Sequence, residues 1–190
     1  MTHVTEGDLD DLEDDTLRTG EHAVAAERLA DLAQTVPAAS DEPQGVSRAK
    51  ILLRAGEQFQ HAGDHARAAE LYRLAIEDGG DVYGDPRVYL ADALFELGER
   101  EEAVSLLADI RDDKPTDPEV YRVVAEVLYE QGDLLGAHQW STAGADLVLA
   151  QPEGGRGDAA ESLEGLLRLR FRARVDLGRP EDEYDALLDA

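Results

Sequence analysis

Between Ala49 and Gln151 apolar residues recur three and four positions apart, the spacing of a single stripe along an α-helix. The stripes break at Gly63, Gly98 and Gly132, which lie 35 and 34 residues apart. Around each glycine the same order of side-chain sizes returns. Seven residues before it come Gly56, Ala91 and Ala125; four before, Phe59, Leu94 and Leu128. Five residues after it come Ala68, Ala103 and Ala137; nine after, Tyr72, Leu107 and Ser141. Small residues at two constant positions let two helices approach closely, and the larger apolar residues fill the flanking space. The pattern therefore predicts two short helices joined by a tight turn, used three times over 49–81, 84–117 and 118–151.

The boundaries carry helix signals. Ser47, Asp64, Asp85, Asp117 and Asp133 stand where N-caps belong, and Pro86 and Pro118 follow their caps at the first helical position. Helices are predicted to run to about Ala62, Glu77, Leu97, Arg111, Gln131 and Ala150. Upstream, Gly20 resembles a further turn glycine, with Ala25 and Leu29 at the matching offsets, and Glu21 to Thr35 reads as a helix that Pro37 ends. Its expected partner is weaker: a helix from about Leu9 to Arg18 on a thin stripe of Leu9, Leu12 and Leu17, with disorder up to about Gly7. Residues 37–46 read as a linker and 151–157 as a break. A helix from about Ala159 to Leu177 comes next, capped by Asp158; Gly178 is another turn, and Pro180 is expected to open a short helix to about Leu188. This last pair has Phe171, Arg174 and Glu183 where the other units have small, apolar and small residues. The organisation expected is an acidic N-terminal segment (1–19), a degenerate repeat helix with linker (20–46), three repeats (47–151) and a capping pair (152–190).

The 34-residue period, the helix–turn–helix unit and the small–aromatic–small–aromatic order resemble the tetratricopeptide repeat, with Leu52, Ala55, Gly56 and Phe59 the best match to its motif. The resemblance implies an all-α solenoid of stacked hairpins whose first helices line an inner groove. The groove positions it implies lie six, three and ten residues before each turn glycine. Six before gives Glu57, Asp92 and Glu126; three before, Gln60, Phe95 and Tyr129; ten before, Leu53, Val88 and Arg122. Family members that clamp a C-terminal carboxylate use Lys, Asn and Arg at such positions. Leu53 and Glu57 argue against that mode and for a groove that takes a basic or aromatic-containing segment.

Composition narrows the function classes. The net charge is −25 at pH 7, with two lysines among the 18 basic residues, so phosphate binding is disfavoured and no direct nucleic-acid contact is expected. Between Glu6 and Asp15 seven of ten residues are acidic, which suits a polar end-cap. There is no cysteine, hence no disulfide framework or thiolate metal site. No apolar run reaches membrane length and no secretory signal is apparent, so a cytoplasmic location is expected. His61 and His65 flank a predicted turn and so make a poor metal pair. The GGRG stretch lacks the lysine and hydroxyl of a phosphate loop, and Arg156-Gly157-Asp158 is more simply a loop with an N-cap than an adhesion signal. Trp140 reads as a packing residue. No catalytic constellation emerges and no cofactor is expected. The function expected is a non-enzymatic adaptor for a basic protein or peptide. The alternatives are an assembly subunit, or an acidic decoy of a nucleic-acid-binding protein.

Overall fold

The turn glycines close their hairpins by one device. The computed structural model describes residues 4–38, 45–151 and 158–188. In it Gly63, Gly98 and Gly132 have φ near +79°, +79° and +76°, a left-handed conformation that costs a glycine little. The amide of each glycine donates to the carbonyl three residues back, and the next amide to the carbonyl five back: Gly63 to Gln60 and Asp64 to Phe59, then Gly98 to Phe95 and Glu99 to Leu94, then Gly132 to Tyr129 and Asp133 to Leu128. This reciprocal pair satisfies carbonyls that the ending helix leaves free. The following helix starts at once because Asp64 and Asp133 accept from the amides of Arg67 and Gly136.

The described residues contain nine α-helices and no strand, the all-α helical-repeat fold expected from the periodicity. In chain order they are α1 (Glu6–Thr19), α2 (His22–Thr35), α3 (Arg48–His61), α4 (His65–Asp78), α5 (Pro86–Glu96), α6 (Arg100–Asp113), α7 (Pro118–Glu130), α8 (Leu134–Leu149) and α9 (Asp158–Asp176); α1 packs with α2, α3 with α4 and α7 with α8, and among the described residues α9 has no α-helix after it. Two compact units result, Met1–Leu107 and Ala108–Ala190, with the division inside α6. In the first, α3 packs on both α2 and α4, and α4 on α5; in the second, α9 packs on α8 and α7.

The crossings are made by the small residues. Ala91, Ala125, Ala68, Ala103 and Ala137 are fully buried. A Cβ added to Gly56 would lie 2.7 Å from Tyr72 Cδ1 and 2.9 Å from Tyr72 Cζ, so the buried Tyr72 ring rests directly on the backbone of α3. The second unit repeats the device at Gly144 of α8, where a Cβ would meet Leu166 Cδ2 and Tyr121 Cβ, both at 2.7 Å.

Three sequence expectations need correction. First, α1 starts at Glu6, not Leu9, because Thr5 and Asp8 form a capping box: the Asp8 amide donates to Thr5 Oγ1 at 3.3 Å and the Thr5 amide to Asp8 Oδ2 at 2.9 Å. Second, among the described side chains of α1 Leu9 and Thr16 are buried, while Leu17 is 78% exposed. Third, among the described residues no α-helix follows Pro180. Only a 3₁₀ turn forms, Asp185–Leu187, because Asp182 and Asp185 turn their carboxylates back on neighbouring amides, Tyr184 to Asp182 at 3.1 Å and Asp182 to Asp185 at 2.9 Å. The parts of the linker at 39–44 and of the break at 152–157, with Arg156-Gly157, lie outside the described residues, as does His3.

Enlarging a crossing residue should be costly. We expect Ala103→Leu to lower stability by about 1–3 kcal/mol through overpacking. Gly56→Ala should also destabilise: its gain in helix propensity, about 1 kcal/mol, is outweighed by displacement of a buried ring. Thermal or urea unfolding checks both.

Candidate functional site

In the first unit the resting place of Tyr72 sets up a polar cluster. Its ring crosses α3 at Gly56, and its hydroxyl donates to Gln60 Oε1 at 2.9 Å. With its oxygen so engaged, Gln60 turns its amide nitrogen to Asp92 Oδ2 on α5. On the other side Tyr83, from the loop between α4 and α5, donates its hydroxyl to Glu57 Oε2. Tyr89 stands between the two tyrosines, its centroid 5.9 Å from that of Tyr72 and 6.2 Å from that of Tyr83, the latter edge-on. Burial, and after it the carboxylates of Glu57 and Asp92, hold the Tyr72 phenol well above its usual pKa; burial and Glu57 do the same to Tyr83. Both phenols are therefore neutral donors.

Cations border the cluster. Lys50 Nζ lies 5.9 Å from the Tyr83 ring centroid and 2.5 Å from Glu6 Oε1, and Arg54 Nη1 donates to Asp10 Oδ1 at 3.0 Å. The acidic face of α1 thus pairs with the basic face of α3. These carboxylates are exposed, so each pair contributes a few tenths of a kcal/mol at most, roughly.

Of the nine residues expected to line a groove, Glu57, Gln60 and Asp92 meet in this cluster. Leu53, Val88 and Phe95 do not share such a surface: all three are buried, Phe95 beneath the guanidinium of Arg100 at 5.4 Å. In the second unit Arg122 bonds both Glu119 and Glu126 along its own helix. Tyr129 donates to Asp176 Oδ2 at 2.5 Å, with Arg172 4.6 Å from its ring centroid. The acid of this repeat is thus already paired with an arginine. The repeat register points to neither Tyr83 nor Tyr89; the sequence signal for Tyr83 is a single aromatic in a Gly- and Asp-rich loop.

Other candidates fall into place. His61 ends α3 and His65 opens α4, and the His61 ring lies 5.3 Å from His22. Trp140 is buried against Tyr121 at 5.4 Å, with Arg111 5.0 Å from its centroid. Among the described residues no helix is long and apolar enough to cross a membrane.

The family comparison bears on the middle of the chain. Residues 60–127 match the family model described as tetratricopeptide repeat. This stretch is similar to the tetratricopeptide repeat. It runs from the end of α3 into α7 and includes Gln60, Tyr72, Tyr83, Tyr89 and Asp92. Repeats of this family serve generally as scaffolds for protein–protein interaction and are typically non-enzymatic. No curated protein matches the chain.

Two consequences can be measured. Tyr83→Phe, which removes the phenol's hydrogen bond to Glu57, should cost about 0.5–1.5 kcal/mol. A second concerns His138 of α8, whose pKa is held below its ordinary 6.5, by burial first and then by Arg170, Arg179 and Arg174. The unfolded chain then takes up a proton near pH 6.5 that the folded chain refuses. Stability is therefore undiminished above that pH and declines as pH falls below it. His138→Gln should flatten the melting temperature between pH 7.5 and 5.5.

Proposed function

We propose that the chain is a non-enzymatic, cytoplasmic scaffold or adaptor that binds a basic protein segment, and that the Tyr83–Tyr89–Glu57–Asp92 cluster of the first unit receives its cationic side chains. The supporting observation is the pairing of a carboxylate with a neutral phenol. An incoming guanidinium or ammonium can replace the Tyr83 hydroxyl on Glu57 with a bond between opposite charges, which adds Coulombic attraction to the hydrogen bond. The displaced ring then offers its face to the same cation. Lys50, already beside Tyr83, shows the kind of group such a ring accepts.

Glu126 already has a guanidinium from Arg122, which an incoming cation would have to displace. Buried Leu53 and Val88 support α3 and α5 from beneath; Gln60 positions Asp92; and Arg122 and Tyr129 form a separate, weaker surface.

A second reading, an assembly subunit, has one observation in its favour. Phe171, Val175 and Leu187 are large apolar side chains left 41%, 49% and 43% exposed in the α9 region. A sedimentation mass above the 20.7 kDa of one chain would support it.

Replacing Glu57 by Gln and Asp92 by Asn should strip the basic partner from an affinity purification, whereas Glu126→Gln should leave most of it bound. An unchanged partner list from the Glu57/Asp92 double variant would overturn the groove.

A further inference from the structure

Helix α9 ends at Gly178 with the backbone turn of the earlier hairpins: Gly178 donates to Val175 and Arg179 to Arg174. Where a second helix would pack there is instead a strap, residues 179–188, and charge holds it. Arg170 and Arg174, one turn apart on α9, are only 4% and 7% exposed. Arg170 grips Asp182 with both terminal nitrogens, at 2.9 and 2.7 Å, and reaches Thr142 Oγ1 on α8 at 3.0 Å with Nε. Arg174 Nε lies 3.0 Å from Asp185 Oδ2. Between these carboxylates Tyr184 slides its ring under Arg170, 4.1 Å from the guanidinium, and donates its hydroxyl to Asp146 Oδ1 at 2.5 Å.

Two buried guanidiniums cannot stand without acids, because a buried charge stripped of its partner is strongly destabilised. The slot must be filled, yet nothing requires one particular filler. Apart from Asp185, the strap is itself poorly buried: residues 179–183, Ala186 and Leu187 are exposed, and only Tyr184 and Leu188 lean on the apolar cluster of Ala145, Val148, Leu166 and Leu167. We propose that the strap is an internal ligand of an acidic-peptide site on α8 and α9. A partner segment with two carboxylates three residues apart and an aromatic residue between them takes the site by exchange. Exchange conserves the ion pairs, so flanking contacts decide it, and exposed Phe171 and Val175 on the same helix offer apolar contact that the strap leaves unused. Neutral and basic segments are refused, since either would leave the arginines buried and unpaired. This site shares no residue with the tyrosine cluster and stands without it.

The probe is a labelled peptide of Arg179–Leu188, added to the unaltered full chain and to a full chain carrying Asp182→Asn and Asp185→Asn. In the unaltered chain the tethered strap competes at high effective concentration. The variant should therefore bind the peptide at least tenfold more tightly by fluorescence anisotropy, and a peptide with Asn at both acid positions should not bind. Equal binding of acidic and Asn peptides, or no binding to a variant that keeps its helicity, would overturn the site. If the double variant does not fold, full-length Tyr184→Ala, which keeps both carboxylates, replaces it. Tighter peptide binding than by the unaltered chain then supports the exchange, and equal binding refutes it.

Discussion

The absence of a side chain at Gly56 is the constraint on which the first unit depends. Because no Cβ projects there, the Tyr72 ring lies against α3 at a distance no larger residue permits. That approach carries the Tyr72 hydroxyl across the helix to Gln60, Gln60 turns to Asp92, and a packing residue thereby orients a carboxylate on the next hairpin. Core and surface are one mechanical chain here. A change at position 56 acts on Asp92 through two residues, Tyr72 and Gln60, without touching it. The second unit uses the same economy at Gly144, where α8 admits Tyr121 from α7 and Leu166 from α9 to either side.

The end of the second unit shows what replaces that device when the small residues are missing. Phe171 and Glu183 occupy positions that are Gly or Ala in the hairpins before, and both stay exposed because no second helix can close on them. The turn at Gly178 still forms, since it needs only its own backbone. The strap beyond it is held by arginine–carboxylate geometry: directional, specific in spacing, and tolerant of irregular backbone. Apolar crossing makes a permanent joint, whereas paired charges make one that an equivalent pair of charges can exchange.

This contrast also explains how much the sequence discloses. Turn glycines, the Asp caps at 64, 85, 117 and 133, and the crossing alanines are visible because each acts within a few residues of itself, or repeats at a constant interval. The early start of α1 is hard to see because Thr5–Asp8 is a capping box hidden in an acid-rich run, where one more aspartate carries no signal. The tyrosine cluster is half legible. Glu57, Gln60 and Asp92 follow from the repeat register, but Tyr83 joins them from a loop that the register does not cover. The strap reads as a helix for a physical reason: Asp182 and Asp185 look like ordinary helix N-terminal acids until the buried arginines that claim them are seen.

The acid surplus takes a different meaning once its partners are known. A net charge of −25 suggests a uniformly solvated surface. Yet several acids are spent locally: Glu6 and Asp10 on Lys50 and Arg54, Glu126 on Arg122, Asp182 and Asp185 on two buried arginines. Arginine, with its planar fork, is the partner in most of these. Total charge is therefore a poor guide to where a basic ligand would settle. The better guide is the kind of donor each carboxylate already holds, because a cation gains most where it replaces a neutral hydroxyl and least where it must displace another cation.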